Sequence, residues 1–514
     1  MAMTLARLCA PCPGLRLTGD AQTAITSVTV DSRRAGPGAL FVAVRGASAD
    51  GHAFVADAVA AGCAAVAVDA ARLPELGLDA AAGRPVAIVA APGTARLPAL
   101  LARELHGRPD ERLVVAGVTG TNGKTTVAFL LRALLGELRG PCGLLGTVRY
   151  ETGRAVRPAP LTTPDGPTLY ALLDEMVDAG ARAAALELSS HALDQGRAAG
   201  LALDVAVLTN LGRDHLDYHA DLTAYLAAKV RIVDLLRDGP RAKGPGALVW
   251  NAADPAFAGL AAAGAGLRLV RFDAGGGAAE GTAEVRVVRR ELSAAGTRLA
   301  IDCLGERLEL VSPLVGRFNV ENLAAALAAG VALGLPAAAC AAALARAEQV
   351  PGRLERIALP SGGVAVVDYA HTADALAAAA AACRELAAGR LLLVFGCGGD
   401  RDRGKRPLMG AVAAREADAV WITSDNPRGE EPAAICDAIR DGFAAEAAPR
   451  AGACAVVLDR TAAIGAALAA ARDGDVVLVA GKGHEDYQLI GGRRLDLDDR
   501  RLVRDWIARE ARHG

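Results

Sequence analysis

The sequence predicts an α/β protein of three domains with mostly parallel sheets, and three observations predict it. The chain has 514 residues, about three domains at roughly 150 residues each. An apolar run at 113–118 is followed by a Gly/Thr/Asn turn and a segment of helical periodicity at 125–138, the order of a parallel α/β unit. Beyond residue 350 an apolar strand followed by a polar, glycine- or proline-containing turn occurs three times. In a doubly wound sheet those turns gather at one edge.

In chain order, residues 1–108 read as a small N-terminal α/β domain. Short strand candidates lie at 25–31 and 40–44, and the turn His106-Gly107-Arg108-Pro109 ends it. Residues 109–349 read as a central mononucleotide-binding domain of P-loop type. Its further strand candidates, 183–188 and 205–209, end in polar residues, as strands do where a parallel sheet presents a site. A helical stretch at 321–347 leads to the linker Val350-Pro351-Gly352. Residues 350–514 read as a C-terminal Rossmann-like doubly wound domain. Its strands 391–395, 419–423 and 476–480 precede the turns 396–401, 424–428 and 481–485. No solenoid-type period is present, so the recurrence is one of topology.

Composition excludes several classes. With 52% hydrophobic residues the chain has ample material for separate cores. A net charge of -2 and the absence of a basic block argue against nucleic acid or an anionic membrane as partner. Only 3% of residues are aromatic, which removes a base-stacking platform. The long uncharged stretch 323–345 is interrupted by Gly330, Gly334 and Pro336 and reads as two buried helices, with no membrane insertion expected. No secretory signal is evident at the N-terminus. Ten scattered cysteines form no disulfide framework, and Cys9 with Cys12 lacks a second ligand pair for zinc. A cytoplasmic monomer is the expectation.

The turn Gly120-Thr121-Asn122-Gly123-Lys124-Thr125-Thr126 departs from the strict Walker pattern at Val118, yet keeps Gly-Lys-Thr between a strand and a helix. Glycines admit phosphate oxygens to backbone N–H groups, Lys124 reaches terminal phosphates, and the Thr125 hydroxyl suits Mg²⁺. Glu187 and His191 follow one strand candidate, and Asn210, Asp214, His215 and Asp217 follow another. Magnesium prefers oxygen ligands, which favours Glu187 over His215.

Of 56 basic residues only five are lysine: Lys124, Lys229, Lys243, Lys405 and Lys482. All but Lys243 lie in or beside a motif. Arginine replaces neither a primary amine nor a compact point charge, so the retained lysines mark chemistry.

Several motifs occur in one order: 120–126, Glu187 to His191, Asn210 to Asp217, Tyr225-x3-Lys229, Phe318-Asn319-x2-Asn322, Gly352-Arg353-x-Glu355 and Asp368-Tyr369-Ala370-His371-Thr372. Together they resemble the Mur ligase superfamily over essentially the whole chain. The resemblance implies three-domain enzymes that use ATP and Mg²⁺ to join an amino acid to a cell-wall precursor peptide. It implies that Lys229 is carbamylated and supports the magnesium site with Thr125, Glu187 and His215. It further implies that Arg353 and Asp368 meet the nucleotide after domain closure, with Asn319 near the base.

Within that family, Asp425-Asn426-Pro427-Arg428 resembles the signature of members that add meso-diaminopimelate, with Arg401, Gly481 and Glu485 at other matching positions. Arg401 and Arg428 offer donors for a distal carboxylate, and Asp425, Asn426 and Glu485 offer acceptors for a distal ammonium. Matching positions also imply contacts to the precursor UDP-N-acetylmuramoyl-L-alanyl-D-glutamate. These are Val30, Ser32, Ala47, Ser48 and Ala49 near the uridine end, and Thr162, Thr163, Ser189, Gln195 and Arg197 along the muramoyl peptide. The rivals are ligation of L-lysine, a folylpolyglutamate synthase, and a nonenzymatic nucleotide switch.

Overall fold

The computed structural model describes residues 2–46, 49–78, 86–237, 244–275, 283–293 and 295–513. The chain divides into two units: Met1–Arg286 with Asp302–Leu308 and Glu321–Leu344, and Val287–Ile301 with Glu309–Val320 and Ala345–Gly514.

In the first unit a five-stranded sheet takes the order Arg16–Thr18, Ala87–Ala91, Ala65–Asp69, Ala39–Val42, Ser27–Thr29. The last four are parallel, and Arg16–Thr18 is antiparallel to its neighbour. The runs ALFV, AVAVD and AIVAA are buried almost throughout, the unbroken apolar pattern of strands covered on both faces.

A second sheet follows in the same unit. Cys142–Leu145, Ala183–Glu187, Val114–Thr119, Val205–Leu208, Ala247–Asn251 and Arg268–Asp273 lie side by side and parallel. Arg149–Glu151 and Val156–Pro158 add an antiparallel edge. Helix Lys124–Leu138 buries Val127, Leu130, Leu131, Leu134 and Leu135, one apolar stripe at helical spacing. Register sets the site: Glu187 lies opposite Val118, and Leu208 opposite Thr119. The turns after these strands therefore emerge together at the carboxyl edge. Helix Leu97–Leu105 packs on helix Gly166–Asp178, so that a Cβ on Gly166 would stand 2.5 Å from Ala99 Cα. Both helices feed one core with Leu113 and Val115.

The uncharged stretch forms helices Arg317–Ala332 and Ala337–Ala345, with Gly334 at φ 78° between them. The two-helix expectation holds, and no described helix is long and apolar enough to cross a membrane.

The second unit is a doubly wound sheet in the order Glu355–Ala358, Val364–Asp368, Val476–Ala480, Leu391–Phe395, Ala419–Ile422, Ala453–Val456. All neighbours but the first pair are parallel. Alternate residues serve two cores. Val366, Leu391, Leu393, Val476 and Leu478 face Leu376, Met409 and Ile435, whereas Val367, Leu392, Val394, Val477 and Val479 face Ile464, Leu468 and Val503. This is the period of two that a strand covered on both faces imposes. The three expected strands end at Phe395, Ile422 and Ala480, within one residue of their anticipated limits.

Candidate functional site

Gly120 and Gly123 adopt φ 147° and 85°, values that disfavour any side chain. Between them the loop is braced by the end of strand Val205–Leu208. Thr121 N donates to Asn210 O (2.9 Å), Asn122 N to Asn210 Oδ1 (2.9 Å), and Thr209 Oγ1 to Asn122 O (2.5 Å). Thr121 Oγ1 accepts from Gly212 N (2.8 Å) and meets Tyr225 OH (3.3 Å). Thr125 and Thr126 open the helix, both buried. These bonds fix the shape of the loop, and helix Lys124–Leu138 begins within it, so that its N-terminal N–H groups lie at the loop.

Two amines meet one carbonyl. Lys124 Nζ donates to Gly120 O and Thr121 O, each at 2.8 Å, and Lys229 Nζ donates to Gly120 O at 2.7 Å. Lys229 comes from helix Leu222–Val230, capped by Asp221 on Ala224 N, and is only 1% exposed. Its amine lies 4.1 Å from the centre of the Tyr225 ring. Burial first, and the neighbouring Lys124 second, lower its pKa from 10.5 to about 6. At neutral pH this amine is largely uncharged.

Glu187, also 1% exposed, ends strand Ala183–Glu187. Its Oε2 accepts from Thr125 Oγ1 (3.0 Å) and Thr147 Oγ1 (3.0 Å), and its Oε1 from Thr147 N (2.8 Å). Thr147 was missed by sequence reasoning. Its one signal is Gly146, where a Cβ would stand 2.8 Å from Glu187 Cδ. The Thr125 hydroxyl and Glu187 carboxylate form an oxygen pair of the kind Mg²⁺ takes while retaining several waters. Among the described residues no group of three or more His, Cys, Asp or Glu could hold a metal ion. His215 sits at φ 53°, an uncommon conformation for a residue other than glycine. Its ring lies 4.8 Å from that of His191 and 6.1 Å from that of Tyr225. Burial lowers its pKa.

The structure joins all five residues expected along the muramoyl peptide into one network around Glu187. Thr162 Oγ1 meets Thr147 Oγ1 (3.0 Å), Thr163 Oγ1 donates to Glu187 O (2.7 Å), and Ser189 N donates to Thr163 Oγ1 (3.0 Å). Arg197 reaches Thr163 O (3.3 Å) and Gln195 Oε1 (2.9 Å). In the N-terminal sheet region Val30 is exposed and Ser32 opens a 3-10 turn capped by Asp31. Ala49 O accepts from Gly46 N (2.8 Å). Ala47 and Ser48 lie outside the described residues.

In the second unit Asn319 Nδ2 donates to Val315 O (2.7 Å), and the Arg353 guanidinium stacks 4.8 Å from the Tyr369 ring centre. Asp368 is buried, and its two oxygens accept from Leu354 N and Ala370 N, each at 2.8 Å. Burial raises its pKa, while Arg353 opposes that shift. Asp368 therefore fixes the strap carrying Arg353. Gly481 N donates to the Asp368 carbonyl (3.1 Å), which ties that strap to the third glycine-rich turn.

Asp425, Asn426, Arg428, Gly481 and Glu485 do converge. Asn426 Nδ2 donates to Glu485 Oε2 (2.9 Å), while Asn426 Oδ1 accepts from Leu489 N (3.0 Å) and Lys482 Nζ (3.1 Å). Lysine and a backbone N–H only donate, so the amide orientation is settled chemically. Asn426, read from the sequence as an acceptor, has its oxygen fully engaged and presents N–H. Arg428, at φ 53°, donates to Gly399 O (2.8 Å). Gly399 N in turn donates to Asn426 O (2.9 Å), so the residues on either side of Pro427 bind the first glycine-rich turn. Arg401 is exposed on that first turn.

Loop, sheet edge and paired amines define a phosphate-loop α/β protein with a second, doubly wound unit. Comparison with known proteins narrows that class. The family models described as Mur ligase middle domain, Mur ligase glutamate ligase domain, and Mur ligase family catalytic domain match residues 118–330, 352–483 and 24–95. A UDP-N-acetylmuramoyl-L-alanyl-D-glutamate--2,6-diaminopimelate ligase of Solibacter usitatus is 41% identical, covering 94% of each chain. The protein of that name from Pseudomonas aeruginosa is 43% identical, covering 92% of this chain and 93% of its own. A solved structure of a ligase of that name aligns over 100% of both chains at 31% identity and TM-score 0.69. MurF of Acinetobacter baumannii, 19% identical with TM-score 0.62, shares the fold over 99% of both chains. The chain belongs to the Mur ligase family.

Proposed function

We propose that this protein is the ATP-dependent ligase that adds meso-diaminopimelate to UDP-N-acetylmuramoyl-L-alanyl-D-glutamate in peptidoglycan precursor synthesis. The observation that carries the reading is the pair of amines, Lys124 and Lys229, on the Gly120 carbonyl of the phosphate loop. A nucleotide switch needs the first amine and has no use for the second. The relatives' names, at about 40% identity over nearly the whole chain, supply the substrates.

In this reading the γ-carboxylate of the D-glutamyl residue attacks the γ-phosphorus of ATP. ADP leaves and an acyl phosphate forms. An amine of diaminopimelate adds to the acyl carbon, loses its proton, and phosphate departs from the tetrahedral intermediate. Lys124 and the N–H groups of residues 120–126 offset charge on the transferring phosphoryl group. Magnesium, when bound, neutralises phosphate charge beside the Thr125 hydroxyl and Glu187, with His215 as the further candidate ligand. Lys229, uncharged at neutral pH, is the form of lysine that takes up carbon dioxide as a carbamate, whose oxygens join that set. Thr147 holds Glu187 in place through both its oxygens. Asn319, Arg353 and Asp368 are assigned to the nucleotide by the motifs they match, and Val30, Ser32, Ala47, Ser48 and Ala49 to the uridine end. Thr162, Thr163, Ser189, Gln195 and Arg197 are assigned to the muramoyl peptide. Arg401, Asp425, Asn426, Pro427, Arg428, Gly481 and Glu485 are assigned to diaminopimelate. ATP and a UDP-linked precursor are cytosolic solutes, which favours a cytoplasmic enzyme.

Isotope transfer tests the chemistry. With the D-glutamyl γ-carboxylate labelled with oxygen-18, one label must appear in the released phosphate. Phosphate without label would exclude the acyl phosphate.

A further inference from the structure

Lys482 is a buried cation to which the mechanism proposed above gives no role. It follows strand Val476–Ala480 in the turn Gly481-Lys482-Gly483, and its side chain has no solvent exposure. Its ammonium has three oxygen neighbours: Asp425 Oδ1 at 3.3 Å, Asn426 Oδ1 at 3.1 Å and Glu485 Oε2 at 3.3 Å. An ammonium has three protons, and this one has three acceptors around it. Among the described residues nearby, Arg460 is also wholly buried, and it forms a forked pair with Asp499 at 2.8 and 2.7 Å. At the turn Lys482 stands between two carboxylates, Asp425 and Glu485, each at 3.3 Å.

Two consequences follow for a ligand. Both lone pairs of Asn426 Oδ1 are taken, by Lys482 and by Leu489 N, while its Nδ2 donates to Glu485. Asn426 thus has only N–H to offer, which suits a carboxylate. Lys482 bridges Asp425 through Oδ1 and Glu485 through Oε2, and two carboxylates gathered in this way suit a second ammonium. Side by side, these are the demands of the distal amino-acid head of diaminopimelate, a carboxylate and an ammonium on one carbon. We propose that Lys482 is a specificity-determining positioning residue. It fixes Asn426 as a donor and holds the Asp425 and Glu485 carboxylates together as a pair, so that the site accepts a zwitterionic distal head. The inference rests on the diaminopimelate reading above and extends it to a residue outside the substrate-matching motif.

The test compares meso-diaminopimelate with 2-aminopimelate, which lacks only the distal amine, in the wild type and in Lys482→Met. Lys482→Gln is a second variant should the first not fold. The wild type is expected to favour diaminopimelate strongly in kcat/KM. Either variant is expected to lower that ratio by about tenfold or more, through KM for diaminopimelate, with KM for ATP within about twofold. A merely structural lysine would lower kcat/KM for both amino acids by one factor, and an unchanged ratio in a folded variant overturns the inference. A wild type that prefers L-lysine overturns the functional reading as well, so the two failures are distinguishable.

Discussion

The amine of Lys229 donates to the carbonyl oxygen of Gly120 at 2.7 Å, 109 residues away in sequence, and shares that oxygen with Lys124. A lysine at the end of a short helix is thereby part of the phosphate loop. Lys229→Ala is expected to lower ligation about 100-fold or more, and short carboxylic acids added to the variant are expected to restore part of it. Lys229→Arg, which keeps a hydrogen-bond donor but cannot form a carbamate, is expected to be as inactive as the alanine variant. Phosphate release measures all three, and full activity in either variant contradicts the carbamate role.

Thr147 supplies two of the hydrogen bonds that hold the buried Glu187 carboxylate. Removing its hydroxyl leaves a buried carboxylate underbonded, at a cost of about 1–3 kcal/mol. Thr147→Val is therefore expected to lower the melting temperature and the ligation rate together, whereas Thr147→Ser stays near the wild type.

Arg428 binds the first glycine-rich turn through Gly399 O and stands beside Asn426. Arg428→Ala is expected to raise KM for diaminopimelate about tenfold or more, with KM for ATP within about twofold. Equal losses in both would make the residue a brace for the turn and nothing else.

Acid stability has a separate source. Glu430 accepts from Arg406 (2.8 and 3.1 Å) and from Asp400 N (2.7 Å). These contacts, the Arg406 hydrogen bonds foremost, hold its carboxyl at about 2 against an ordinary 4.5. A pKa depressed on folding gives stability that is complete above pH 4.5 and is lost as pH falls toward 2. Glu430→Gln is expected to flatten the fall in melting temperature across that window. Added salt is expected to weaken the same effect, because the pair is screened.

Much of this was legible in the sequence because its composition is biased. Where cations are written almost uniformly as arginine, lysine stands out. Lys124 and Lys229 do meet at Gly120, Lys482 is buried in the third turn, and Lys405 donates to the His371 carbonyl. Lys243 lies outside the described residues. Strands buried on both faces were legible as unbroken apolar runs. Strands Val285–Ser293 and Glu306–Ser312 were not, because arginine, glutamate and exposed positions fill them and no clean alternation survives. Nor was Thr147. It belongs to no motif, and only the pairing of Leu145 with Leu186 brings the following turn to Glu187. Asn426 was read as an acceptor because residue type alone cannot tell which end of an amide faces the ligand. That orientation is set by Lys482, 56 residues later.

The central claim is that this chain joins diaminopimelate to the UDP-muramoyl dipeptide, and one assay tests it most directly. Purified protein with ATP, Mg²⁺ and UDP-N-acetylmuramoyl-L-alanyl-D-glutamate is given either meso-diaminopimelate or L-lysine, and phosphate release and the tripeptide product are measured. The account predicts rapid release and a product carrying diaminopimelate, with L-lysine at least about 100-fold poorer in kcat/KM. Equal use of both amino acids, or phosphate release that needs neither, would contradict it.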